Sequence, residues 1–220
     1  MLHNGVTFGD VHSYWDLDLI LTSAEIPPAS PKTAYIDIPG ADGSLDMTEA
    51  HGEVKYSDRT GVKFIFFMNP AGDLSDAAWE EKKTKVNNLL NGQHKNVVLD
   101  KDPDYFWQGR CVVDELSSSK RLRKIVVGAR FAPYKLKNDL TRETVTLTNN
   151  PLEVTLKNSR KTVCPTIICT GNATLTVNGG EYVLSEGTHK VLDIQLHEGK
   201  TLVTVKGTGT ITFEYQEGDL

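Results

Sequence analysis

Catalytic and metal-binding motifs are what this 220-residue chain most lacks. It contains no GxSxG elbow, HExxH pair, phosphate-binding Walker loop or dinucleotide fingerprint, which removes the commonest hydrolase, zinc-protease and nucleotide-dependent classes. Its six histidines, His3, His12, His51, His94, His189 and His197, are scattered without ligand spacing. Cysteine is scarce: Cys111, Cys164 and Cys169 are too few and too far apart for a disulfide framework. Cys164 and Cys169 would point to opposite faces of a regular strand, although Pro165 could disturb that alternation. Free, buried thiols in a protein made in a reducing cytosol are the simpler expectation. The longest apolar run, Phe64 to Met68, is far short of the ~20 residues of a membrane helix. The first residues show no basic stretch leading into an apolar core, so they do not read as a secretory signal, and a protein soluble at synthesis is expected. Positive charge is also in deficit. A net charge of −5 and a pI near 5.7 oppose general nucleic-acid binding. The one basic run, Lys120 to Lys124, reads as a solvated hairpin loop.

Carboxylates are plentiful, and that makes any single pair of them uninformative. Asp16 with Asp18, or Asp42 with Asp46, could be offered as a general acid and base, but closeness in sequence says nothing about the ~5 to 9 Å separation such chemistry needs. His12 beside Ser13 and upstream of Asp16 invites a triad reading, yet three residues this close on an entering strand point to different faces. Capping or turn roles suit His12 and Ser13 better. No catalytic residue, metal site or cofactor site is assigned.

Elsewhere the chain reads as mainly β with one helix. Trp15, Leu17, Leu19 and Leu21 alternate as the buried face of a strand would. Pro27, Pro28 and Pro31 then enforce an extended link. Val62 to Met68 is almost continuously apolar, which predicts a strand covered on both faces. Ser75 is a good N-cap, Asp76 complements the helix dipole, and Trp79, Val86, Leu89 and Leu90 recur at helical spacing until Gly92 offers a left-handed stop. Glu80 with Lys83 and Glu81 with Lys85 are same-face pairs. Strands resume at Asn96 to Leu99, Tyr105 to Val113 and Lys124 to Ala132. Pro133 and the polar stretch after Lys135 predict a boundary between residues 1–135 and 136–220. Beyond it, short alternating runs punctuated by Asn178-Gly179-Gly180, Glu186-Gly187, Glu198-Gly199 and Gly207-Thr208-Gly209 predict a small β-sandwich. Its aromatics are only Tyr182, Phe213 and Tyr215; Phe213 and Tyr215 share a face with Ile211 and read as core. Tyr182 is left as the one weak platform for a sugar ring, in an alternative reading of this half as a carbohydrate-binding module for host cell-wall glycans.

The most informative segment lies between Tyr35 and Arg59. Ile36 and Ile38 alternate with Asp37, Pro39-Gly40 ends the strand, and Asp42-Gly43 suits a hairpin turn. Six acids, Asp37, Asp42, Asp46, Glu49, Glu53 and Asp58, stand against Lys55, a balance of −5 that equals the net charge of the whole chain.

The wording of this region resembles a known family. Gly9-Asp10-Val11-His12-Ser13, the Pro-rich link to Lys32, Ile36-Asp37-Ile38-Pro39-Gly40 and Asp42 to Glu49, in that order, are similar to the start of the distal tail proteins (Dit) of long-tailed phages infecting Gram-positive bacteria. The Gln108-Gly109-Arg110 strand, the exit Phe131-Ala132-Pro133-Tyr134-Lys135 and the closing strands fall where that family has them. Met47, where an aliphatic residue is usual, and Ala50-His51 depart from the commonest pattern. The resemblance implies an N-terminal ring-forming domain with one helix and an extended arm, followed by a galectin-like β-sandwich. It implies a structural virion protein at the tail tip, made in the host cytoplasm. There it would form a homo-hexameric ring joined to the tail-tube protein, to the tail-associated lysin or fibre protein and to receptor-binding proteins. DNA would only pass through the channel, no membrane would be involved, and the baseplate hub would serve host adsorption. Within that frame the six acids are candidates either to line the bore, where negative potential keeps DNA from adhering, or to solvate an edge and discourage wrong pairing.

Overall fold

The computed structural model describes residues 4–50, 52–118 and 123–220. His51 and most of the basic run Lys120 to Lys124 lie outside them. The chain divides into two compact units, Met1–Lys135 and Leu136–Leu220.

The first unit contains β1 (Val6–Phe8), β2 (Val11–His12), β3 (Leu19–Glu25), β4 (Tyr35–Asp37), β5 (Ser44–Asp46), β6 (Arg59–Met68), α1 (Asp76–Leu90), β7 (His94–Leu99), β8 (Asp102–Ser118) and β9 (Arg123–Phe131). Its main sheet runs β2-β1-β7-β8-β9-β6-β3, and every neighbouring pair is antiparallel. Alternation explains which face is covered. Val62, Phe64, Phe66 and Met68 of β6, Ile125, Val127 and Phe131 of β9, and Phe8 of β1 meet Trp79, Val86 and Leu90 of α1 in one core. Phe8 packs edge-on against Phe64 at 5.8 Å, and Trp107 stacks on Phe131 at 6.0 Å. The helix starts as its sequence predicts, with the Ser75 hydroxyl accepting from the Ala78 N–H, and Gly92 follows it with φ +72°. Glu80 and Lys83 pair at 2.7 Å, whereas Lys85 reaches the carbonyl of Asp16.

Two expectations fail here for definable reasons. The strand expected from Trp15 begins only at Leu19. Residues 13–17 form turns, with Asp16 N–H bonded to His12 O and Leu19 N–H to Ser13 O, and Asp18 takes φ +51°. Leu17 is still buried, but Trp15 stands 70 % exposed. Second, β6 is covered on one face only: Lys63 is exposed and Ile65 and Phe67 are half-buried, so the apolar run reflects one core face and one partly wet face.

The second unit is a β-sandwich. After β10 (Lys135–Lys137) come β11 (Thr141–Thr146), β12 (Leu152–Asn158), β13 (Thr166–Cys169), β14 (Ala173–Val177), β15 (Gly180–Leu184), β16 (Gly187–His189), β17 (Gly199–Gly207), β18 (Thr210–Tyr215) and β19 (Gly218–Asp219). They form two four-stranded antiparallel sheets, β11-β18-β13-β16 and β12-β17-β14-β15. Leu156, Leu175, Val203 and Val205 from one sheet and Ile167, Ile211, Phe213 and Tyr215 from the other fill a single core. Phe213 and Tyr215 are core residues, as their spacing with Ile211 requires. Past His189 the chain leaves the sheet, and Leu196 makes a single bridge to Val163. Cys164 precedes β13, the strand that holds the buried Cys169, and all three thiols are free.

Candidate assembly site

Glu25 ends β3 and Arg59 begins β6, and these strands are neighbours in the sheet, so the segment between them is a long arm thrown out from a hairpin position. Prolines keep its legs extended. The legs are zipped by Lys32 N–H to Lys55 O at 2.7 Å, Ser57 N–H to Ser30 O at 2.9 Å and a Pro31–Tyr56 bridge. At the root, Arg59 is buried: its Nε donates to Pro133 O at 2.9 Å, its Nη1 to Pro27 O at 2.7 Å, and its guanidinium lies 4.6 Å from the centre of the Trp107 ring. Burial pushes its pKa below the ordinary arginine value.

The arm's tip is the two-stranded sheet β4–β5, with register Tyr35↔Asp46, Ile36↔Leu45 and Asp37↔Ser44. Met47 N–H continues the pairing to Ala34 O at 2.8 Å, while Ala41 N–H to Ile38 O and Gly43 at φ +74° shape the connection. The pleat sends Ile36 and Leu45 to one face, with Ile38 and Met47 two residues further along each strand, and Tyr35, Asp37, Ser44 and Asp46 to the other. None of these apolar side chains is covered: Ile36 is 52 % exposed, Leu45 49 %, Ile38 48 % and Met47 37 %. A lone two-stranded hairpin is marginal in water. One with an uncovered apolar face is shaped for a partner.

The six acids of the segment are not one cluster. Asp37 accepts from the Ser44 hydroxyl at 2.6 Å on the polar face. The Thr48 hydroxyl and backbone N–H hold the Asp46 carboxyl, on that same face, below the usual carboxylate range. Asp42 lies in the turn and Glu49 just past Met47, both exposed. Glu53 pairs with Lys55 at 3.7 Å, and Asp58 with Arg130 at 2.9 Å beside the arm's root.

Neither a protein-family model nor any curated protein sequence matches the chain. A solved structure does. The crystal structure of SPP1 Dit (gp 19.1), described as a paradigm of the hub adsorption apparatus in phages infecting Gram-positive bacteria, superposes with a TM-score of 0.69, covering 99 % of each chain at 15 % identity. The chain has the Dit fold.

That fold accounts for the residues that sequence alone could have mistaken for chemistry. His12 Nδ1 accepts from the N–H groups of Tyr14 and Trp15 at 3.1 and 3.2 Å, its Nε2 lies 3.2 Å from both Asp100 oxygens, and Asp100 also accepts from Gly5 N–H at 2.7 Å. The Ser13 hydroxyl accepts from Val6 N–H at 3.0 Å, and Asp16 accepts from His12 N–H at 2.7 Å. These groups fix the turn that opens the Dit fold, and Ser13 is fully buried. Asp18 pairs with Lys82 of α1 at 3.0 Å. Among the described residues no three His, Cys, Asp or Glu side chains come together in a way that could hold a metal ion. Nor is any helix among the described residues long and apolar enough to cross a membrane.

Tyr182 sits opposite Leu175 in the β14–β15 pair, on the inner face, half-buried and packed against the second core. It is Val183, on the outer face opposite Thr174, that solvent reaches. The ring therefore offers a sugar less open surface than its place in the sequence suggests. Sequence reasoning found the arm but missed the exposure of Trp15, because an alternating pattern carries no mark of the turn that interrupts it.

Proposed function

We propose that the chain is a structural subunit of a phage tail tip, closing with its copies, six in number, into a ring around an open channel. The observation that carries this reading is the end-to-end superposition on a hub protein of a phage adsorption apparatus. The arm supports it independently. A chain that projects an amphipathic hairpin beyond its own core has built one half of an interface, and a closed ring of identical subunits needs two different complementary faces on each.

In this reading the ring joins the tail-tube protein to the tail-associated lysin or fibre protein, with receptor-binding proteins attached around it, at the tail tip. The role is architectural, not catalytic. With the apolar face of the arm turned to protein, its polar face is the one left open, and Asp37 and Asp46 would give the bore the negative potential that keeps passing DNA from adhering. Light scattering followed by negative-stain imaging tests the proposal. A flat annulus with a central hole is the expected result; a single subunit persisting at high protein concentration would end it.

A further inference from the structure

The sheet β12-β17-β14-β15 of the second unit ends in two edge strands, β12 and β15, and β12 pairs with β17 alone. Its free edge runs over Leu152–Asn158. Alternation along it is regular: Val154 and Leu156 lie buried in the core, while Glu153, Thr155 and Lys157 are exposed on the outer face. Two features of this edge are unresolved within one subunit. Lys157 stands directly across from Lys200 of β17, and like charges in that position repel. Among the described residues Lys157, Lys200 and Glu153 have no ion pair. Leu152, on the inner face across from Val205, is 43 % exposed at the open edge.

We infer that the free edge of β12 pairs with the β12 edge of a second copy, the two strands running antiparallel about Thr155 and joining two sandwich sheets into one continuous sheet. The register follows from the residues. Antiparallel pairing centred on a single residue keeps the inner faces of both sheets on the same side. Centred on Thr155, it sets Glu153 across from the partner's Lys157 and Lys157 across from the partner's Glu153, so symmetry answers both charges twice. On the inner face Val154 meets the partner's Leu156, and the half-open Leu152 meets the partner's Asn158. Across the outer face one row then runs from Lys200 through Lys157 to the partner's Glu153, and the lysine pair gains its carboxylate. An edge lysine ordinarily wards off pairing; here the same strand carries the glutamate that answers it, at the symmetric position. The other edge of the sheet has no such match, since β15 turned about Tyr182 would set Glu181 across from Val183. The Lys157 carbonyl accepts from the Tyr215 hydroxyl at 2.5 Å and keeps a second lone pair. A contact made by the same strand on both copies is isologous and closes as a two-fold pair, so it differs from the head-to-tail contacts of a ring and does not depend on the ring reading.

Disulfide trapping on the full-length chain decides the matter. Thr155 lies on the proposed axis and faces its own counterpart, so Thr155→Cys brings two thiols within disulfide reach. Cys164, the one native thiol that is not buried, is replaced by Cys164→Ser in every variant. Mild oxidation of dilute protein, followed by non-reducing electrophoresis, should link most chains into pairs. Adding Glu153→Lys alone, or Lys157→Glu alone, turns both symmetric attractions into repulsions, and linkage should slow by about fivefold or more. Mixing these two charge variants should restore the rate, because each then meets opposite charges at both positions of the other. The double swap in one chain should restore it too. Residues 153, 155 and 157 are exposed, and far-UV circular dichroism verifies that each variant is folded. Linkage at the same rate in the single charge variants and in their mixture overturns the proposal, and so does a Thr155→Cys chain that never links. Either result leaves the ring reading standing, since the annulus is judged by imaging.

Discussion

Two hairpins in this molecule share local grammar and end in opposite circumstances. In β14–β15 the turn Asn178-Gly179 has φ +50° and +80°, and alternation sends Leu175, Val177 and Leu184 into the sandwich core. In β4–β5 a glycine also takes positive φ, at Gly43, and alternation again separates apolar from polar residues, but Ile36, Ile38, Leu45 and Met47 face solvent. Period-2 patterning therefore specifies that a strand pair has two unlike faces, and says nothing about which molecule supplies the cover. A hairpin whose cover lies in its own chain stabilises the fold; one whose cover lies elsewhere is available for assembly.

The sharpest way to break that comparison is to truncate equivalent residues in both hairpins. Leu175 is fully buried, so Leu175→Ala should destabilise the second unit by about 2–5 kcal/mol, the transfer cost of the lost carbons plus that of the cavity. Urea unfolding followed by far-UV circular dichroism measures it, since Trp15, Trp79 and Trp107 all lie in the first unit. A loss below 1 kcal/mol would mean that β14–β15 is no better anchored than the arm.

Much of this contrast is legible in the sequence, and the illegible part has a physical cause. The helix from Ser75 to Gly92 could be read because cap, dipole and spacing agree. The sandwich strands could be read because turn residues separate them. Trp15 could not, because the turn bonds of residues 13–19 are made by backbone groups that leave no trace in the hydrophobic pattern. The acids of the arm were visible as a charge count, but their division into polar-face, turn and root positions depends on register.

Where the arm joins its unit, Arg59 is the residue to test next. Arg59→Ala would leave the carbonyls of Pro27 and Pro133 without their charged donor and remove the cation from the Trp107 ring, a cost of about 2–3 kcal/mol. Tryptophan fluorescence during urea unfolding reads it directly. If the arm is rooted through this one guanidinium, the variant should also become cleavable by protease near Pro27 before the rest of the unit unfolds.

In the second unit the corresponding fastening is Glu217, a buried carboxylate that accepts from Lys137 Nζ at 2.6 Å, the Thr141 hydroxyl at 2.6 Å and the Ser159 hydroxyl at 2.8 Å. Burial pushes its pKa up, but these donors together outweigh burial and leave it below the ordinary glutamate value. The stabilisation is therefore complete above the unfolded value of ~4.3 and fades as pH falls through the lower folded value. Glu217→Gln should cost about 1–2 kcal/mol at pH 7. The gap between variant and unmodified chain should close in acid, below about pH 4. A gap that is the same at pH 7 and pH 3 would show that the charge on Glu217 contributes nothing.

The smallest effect on stability should come from the arm itself, and its smallness is informative. Ile36→Ala removes three carbons from a side chain that is already half in water and that touches neither core, so unfolding of the single subunit should move by less than about 0.5 kcal/mol. The same change removes the branched side chain opposite Leu45, on the face that the ring reading gives to a neighbour. Association should therefore weaken at least tenfold, about 1.4 kcal/mol, read by light scattering across a dilution series at a protein concentration where stability is unchanged. Were Ile36→Ala to lower the stability of the single subunit as Leu175→Ala does, the arm would be part of its own chain's core, and the distinction between the two hairpins would disappear. An effect on association alone locates the missing cover of this hairpin on another copy.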